Sequence, residues 1–98
     1  MKRLFAKSVL QRFWLKHPGS KDYLLVWYDA VMKSDWRTPG DIKKRYGTVS
    51  ILKNGRVVFN IKGGSYRLVA RINFKKQWIF IRFIGTHKEY ERIDANTI

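Results

Sequence analysis

The spacing of apolar side chains changes period halfway along the chain, and that change limits the folds open to it. Ala6, Val9, Leu10, Phe13 and Trp14 recur at i, i+3, i+4, i+7 and i+8, the stripe of an amphipathic helix. Leu24, Trp27, Tyr28 and Val31 repeat the stripe. Residues 21–34 are therefore predicted as a second helix, with Ser20 as its N-cap and Asp22 in its first turn. Pro18-Gly19 and Pro39-Gly40 punctuate this half. Asp41 is expected to cap a short third helix that runs to about Tyr46 and stops at Gly47.

From Val57 onward the period is two. Val57, Phe59 and Ile61 alternate with Arg56, Val58, Asn60 and Lys62. Tyr66, Leu68, Ala70, Ile72 and Phe74 alternate with Arg67, Val69, Arg71 and Asn73. Trp78 to Ile84 is apolar on both faces except at Arg82. Gly63-Gly64 and Lys75-Lys76 are turns too short for a crossover, so the three strands form an antiparallel meander. The helices are expected on one face, over Tyr66, Leu68, Ala70 and Ile72, which sends Arg67 and Arg71 to the other face. Residues 2–5 are a candidate edge strand. No linker or repeat divides residues 1–98, which read as one α+β domain: two N-terminal helices on a twisted antiparallel sheet.

Composition narrows the setting. Aromatics at 15% rule out a disordered basic tail, and no apolar run is long enough to span a membrane. The apolar stretch after Lys2 and Arg3 is broken at Lys7 and Arg12, so no secretory signal is read and a cytoplasmic location is expected. Cysteine is absent, which excludes disulfides and thiolate metal sites. The net charge is +14, from 21 Lys and Arg against seven Asp and Glu. From Ile42 to Lys88 there is no acid but twelve cations. A polyanion suits such a stretch, because each neutralised phosphate releases a counterion. The alternative is a solvated cationic face, which is the simplest reading of Lys43-Lys44-Arg45.

After the last strand, Thr86 with Glu89 three residues on is a capping box. His87 is then the first residue of a helical turn, where the helix dipole disfavours positive charge and a neutral imidazole can serve as a base. Tyr90 follows at i+3 on the same side. Spacing alone leaves open a capped surface turn whose His and Tyr only pack.

Two segments carry a family resemblance. Phe59-Asn60-Ile61-Lys62-Gly63-Gly64-Ser65-Tyr66-Arg67-Leu68-Val69 and Phe83-Ile84-Gly85-Thr86-His87-Lys88-Glu89-Tyr90 closely resemble the HigB family of bacterial toxins. The His17-Pro18 turn, Trp27 and Trp36 fit the same pattern, while Ser65 and Lys88 depart from it. The resemblance runs from about Ser8 to Ile93. It implies a RelE-like fold and a type II toxin that cuts mRNA, usually in the ribosomal A site. It further implies a HigA-like antitoxin with a helix-turn-helix domain, through which alone operator DNA would be bound.

Under that implication, a ribonuclease working without cofactor or metal must take a proton from the 2′-OH, stabilise the phosphate and protonate the leaving 5′-oxygen. His87 takes the acid–base role. Tyr90 orients the reacting group, stacks on a base or shares the proton transfer. Arg67 holds the scissile phosphate, since a guanidinium makes bidentate contacts. Lys62, Arg82 and Arg71 are further phosphate candidates, and Asn60 is a candidate for a base or ribose contact. No carboxylate lies between Asp41 and Glu89 to hold a pair of metal ions. The chief rival is a non-catalytic basic RNA-binding module that stacks bases on Trp78 and Phe80. A helix-turn-helix DNA binder fits poorly, because the segment from Leu24 to Met32 is largely apolar and carries Asp29.

Overall fold

The computed structural model describes all 98 residues. Strand β1 (Arg3–Phe5) leads into helix α1 (Lys7–Lys16). A 3₁₀ turn at Pro18–Ser20 joins α1 to α2 (Lys21–Met32), and α3 (Pro39–Arg45) follows. The rest is β2 (Ser50–Ile51), β3 (Arg56–Ile61), β4 (Tyr66–Asn73), β5 (Trp78–Thr86) and the single turn α4 (His87–Tyr90). The five strands form one sheet in the order β1-β5-β4-β3-β2. The β3-β4-β5 meander is antiparallel, as its short turns require. The edge strand β1 is present, but it runs parallel to β5, because α1 is its connection into the rest of the fold and no hairpin links the two. The sheet is therefore mixed. The short β2 was not foreseen: two exposed residues give no alternation to read.

The helices cover one face of the sheet. Leu10 and Phe13 of α1, Leu24, Trp27 and Val31 of α2, and Ile42 of α3 pack on Val57, Phe59, Ile61, Leu68, Ala70, Ile72, Ile79 and Ile81. Phe59 sits at the centre, edge-on to Trp27 and Tyr46 at 5.3 Å each. Burying such a ring contributes roughly 1.5–3 kcal/mol. No helix is long and apolar enough to cross a membrane.

Two caps differ from expectation. Ser20 precedes α2, but the 3₁₀ turn already holds it in helical geometry, so its hydroxyl donates back to the His17 carbonyl at 2.7 Å. For α3 the N-cap is Thr38, with Pro39 as the first helical residue; Asp41 is its N3 partner and accepts from the Thr38 N–H at 3.1 Å. Those backbone bonds, first that from Arg37, hold the Asp41 carboxyl below its usual range. The Pro-Gly pair thus opens a helix, since proline at N1 has no amide to satisfy.

The opposite face is covered in part by the C-terminal segment. Ala95 is buried on Val58 and Val69, with Leu52, Phe83, Tyr90, Ile93 and Ile98 around them. Beside this patch β5 carries a bulge: Val69 pairs with Phe83 but Ala70 with Ile81, leaving Arg82 without a partner on β4. The extra residue explains why β5 reads as apolar on both faces. It shifts the alternation, so Ile79 and Ile81 face the helices while Phe83 faces away.

Candidate active site

The β3-β4 turn and the end of β5 meet at one end of the sheet. Lys62 and Gly63 both have positive φ, 53° and 61°, the pairing that a tight hairpin turn demands. Gly64 at φ 95° completes the loop, and its carbonyl accepts a hydrogen bond from Arg67 Nη1. Arg67 is half-buried on the face away from the helices, opposite Gly85 on β5. Its guanidinium carbon lies 5.9 Å from the centre of the Tyr90 ring. The arginine is thus held from two sides, which fixes its planar fork before any phosphate arrives.

Residues Thr86 and Glu89 form the expected capping box. Thr86 N–H donates to Glu89 Oε1 at 2.7 Å, and Glu89 N–H donates to Thr86 Oγ1 at 3.2 Å. The Thr86 amide holds the Glu89 carboxyl below its usual range against partial desolvation, and His17 and Lys16 add to the effect. Gly85 is required by close approach: a Cβ there would sit 2.5 Å from Phe83 Cζ and 3.0 Å from Glu89 Oε1. His87 opens the turn, exposed, with its amide donating to the Ser65 carbonyl at 3.3 Å. Its Nε2 lies 3.1 Å from Glu91 Oε1, an i,i+4 contact that the capping argument did not include.

The other sequence candidates divide. Lys62 leans toward the α1–α2 turn: a Cβ on Gly19 would lie 3.1 Å from its Nζ. Asn60 donates to the Thr48 carbonyl at 3.4 Å and, with Lys62, lines a small cavity against α2. Arg82 is exposed at the bulge. Arg71 lies four residues along β4 from Arg67, roughly 13 Å away, and joins a different group of side chains. The arrangement therefore gathers Arg67, Tyr90 and the His87 turn, and leaves Arg71 outside.

Sequence reasoning missed His17 as a neighbour of this end. Its ring stacks on Phe13 at 4.5 Å and tilts against Tyr66 at 5.6 Å. It shares a cavity of about 240 Å³ with Arg12, Lys16 and Glu89. Nothing in the local pattern links residue 17 to residue 89; the helix-to-sheet packing brings them together.

Chemically, this end of the sheet offers an oriented guanidinium for an anion with a phenol beside it, an exposed imidazole at the start of the capped turn, and carboxylates tied up in a cap and a side-chain pair. Fold and cluster together give a small basic α+β domain with one mixed five-stranded sheet. A family model described as HigB_toxin, RelE-like toxic component of a toxin-antitoxin system, matches residues 20–93, and the chain belongs to this family. The mRNA interferase toxin HigB of Escherichia coli (strain K12) is 31% identical over 94 residues, covering 94% of this chain and 90% of the relative. The mRNA interferase HigB of Shigella flexneri matches to the same extent. That of Escherichia coli O6:H1 (strain CFT073) is 24% identical over 92 residues, covering 92% and 89%.

Proposed function

We propose that this toxin is an endoribonuclease that cleaves mRNA on the ribosome, with residues 1–98 acting as one domain. The observation that carries the reading is the guanidinium of Arg67, fixed between the Gly64 carbonyl and the Tyr90 ring beside a capped turn that begins with His87. The 2′-oxygen attacks the adjacent phosphorus as its proton passes to His87, directly or through Tyr90. The bond to the 5′-oxygen breaks, and that oxygen takes a proton from the same pair. The products are a 2′,3′-cyclic phosphate and a 5′-hydroxyl. Arg67 neutralises the charge that builds on the phosphate, usually the largest share of such catalysis.

The family implies an antitoxin, and we assign it the HigA-like type, with a helix-turn-helix domain that carries the complex to operator DNA. Leu15, Tyr23, Leu25 and Val26 are exposed on α1 and α2, Leu15 to 77%, and such apolar surface supports docking of an antitoxin segment there. The toxin acts in the cytoplasm, where ribosomes and antitoxin are.

The test is cleavage of a defined mRNA on stalled ribosomes and of ribosome-free RNA in excess EDTA, followed by end-group analysis. Cyclic phosphate termini are expected. Activity abolished by chelator and restored by a divalent ion would overturn the mechanism. Binding without cleavage even of mRNA on the ribosome would favour the rival RNA-binding module.

A further inference from the structure

We propose that the sheet carries a second RNA subsite, remote from the His87 turn, where bases stack on Phe5, Trp78 and Phe80 while phosphates meet Arg3, Arg71 and Lys76. The proposal rests on the reading of the toxin as an RNA-cleaving enzyme. Parallel pairing of β1 with β5 sets Arg3 beside Trp78 and Phe5 beside Phe80. The Phe5 and Phe80 rings stack at 4.7 Å and 11°. Trp78 stands edge-on to Phe5 at 5.5 Å and to Phe80 at 6.3 Å. All three remain half-exposed, an unusual concentration of aromatic surface outside the core.

Cations cover these rings. The Arg3 guanidinium lies 4.9 Å from the Phe5 centroid, and Lys76 Nζ lies 4.6 Å from that of Trp78. Arg71 is the partner of Phe80 across β4 and β5. Next to them a groove of about 630 Å³ is lined by Asn54, Arg56, Arg71, Asn73, Trp78 and Phe80 among others, and none of its thirteen lining residues is acidic. Half-exposed aromatic rings with cations over them, beside a groove lined by no acidic side chain, match a single-stranded nucleic acid: bases stack in any sequence, and the backbone supplies the anions. A protein partner is better served by the aliphatic surface of Leu15, Leu25 and Val26. Arg71 lies roughly 13 Å from Arg67 along β4, so an RNA reaching both must extend beyond the nucleotides at the cleaved bond.

The experiment compares two unstructured RNAs, one just spanning the scissile bond and one several times longer. Affinity is read by fluorescence anisotropy and cleavage is followed in parallel. Trp78→Leu keeps an apolar side chain but removes the flat face; it should lower the long-to-short affinity ratio about fivefold or more, the low end for one stacked base. Arg71→Gln, at an exposed position, should reduce the salt slope for the long RNA by about one. Ratios and slopes unchanged in both variants would overturn the subsite. So would a loss of antitoxin affinity with RNA affinity intact, which would give this face to the protein partner. If the parent binds long RNA in preference but leaves mRNA uncut even on the ribosome, the proposed reaction fails while the subsite stands.

Discussion

Removing the Thr86 hydroxyl tests whether the α4 cap acts as support or as chemistry. Thr86→Ala deletes the acceptor for the Glu89 amide and leaves the Thr86 backbone bond to Glu89 Oε1 in place. Loss of such a cap costs about 0.5–2 kcal/mol, which raises the population of the frayed turn up to roughly 30-fold. The helix has only four residues, so little else within it resists fraying. What remains is the half-buried Tyr90, packed at the edge of the Val58–Val69 cluster. Only molecules with the turn closed present His87 correctly, so the rate falls by no more than the closed fraction falls. Single-turnover cleavage should drop severalfold, and Thr86→Ser should restore it. Hydrogen exchange at the Glu91 amide, which donates to the His87 carbonyl, should speed up with the open-to-closed ratio, by more than the rate falls, linking rate to local opening. Circular dichroism and antitoxin binding verify the fold.

Glu89 completes the test. Glu89→Gln keeps an acceptor oxygen but cannot titrate. The parent's Glu89 carboxyl is held below its usual range by the Thr86 amide, so its contribution to the cap is complete above the ordinary Glu value near 4.3 and is lost as pH falls through the lower folded value. The variant should be slightly less active than the parent near pH 7, where the parent's charged cap is complete, and should converge with it as pH falls through that acid limb. A Thr86→Ala loss exceeding ~10²-fold, the scale of an acid–base group, would refute the supporting role of the cap. Glu89→Gln as inactive as His87→Ala would place Glu89 in the chemistry.

The remaining expectations concern the reacting groups. His87→Ala should lower single-turnover cleavage ~10²-fold or more with RNA affinity nearly intact, and Tyr90→Ala should also abolish growth arrest; a His87→Ala rate within about threefold of the parent makes His87 a structural cap. Arg67→Lys should keep most of the affinity but lose turnover, because an ammonium cannot reproduce the fork held between Gly64 and Tyr90; equal losses in both would mean that Arg67 binds ground and transition states alike. Gly85→Ala should cost about 1–3 kcal/mol in thermal unfolding and impair cleavage more than Thr86→Ala does, since its Cβ would collide with both Phe83 and Glu89; a variant of parental stability would contradict the close packing.

Much of this architecture was legible because local signals agreed with the fold. The 3.6 and 2.0 periods found α1, α2 and the meander, and the Thr86–Glu89 spacing found the cap that positions His87. What the sequence hid depends on contacts between distant segments. The parallel β1-β5 pairing needs α1 as its connection, and the Arg82 bulge becomes visible only once β4 gives the register. His17 reaches the Glu89 cavity because α1 lies across the sheet, and Arg71 leaves the Arg67 group because four residues of strand separate them. Strand alternation put both arginines on one face correctly, but a shared face is not a shared site.

The acid-free stretch from Ile42 to Lys88 gains meaning only in three dimensions, since acids outside it could have folded back to pair its cations. They do not. Asp29 pairs with Lys33, Asp35 with Arg37 and Glu91 with His87, each within its own segment. Asp41 and Glu89 serve caps, and Asp94 accepts from the Asn96 amide in the C-terminal segment. Lys62, Arg67, Arg71 and Arg82 form no ion pair. The acids thus shape turns while the cations of the sheet stay available, at the cost of self-repulsion in a chain of net charge +14. A polyanion relieves that repulsion wherever it lies along the sheet, so the same charges that draw RNA also favour its extended engagement, from the Arg67 end to the Arg71 groove.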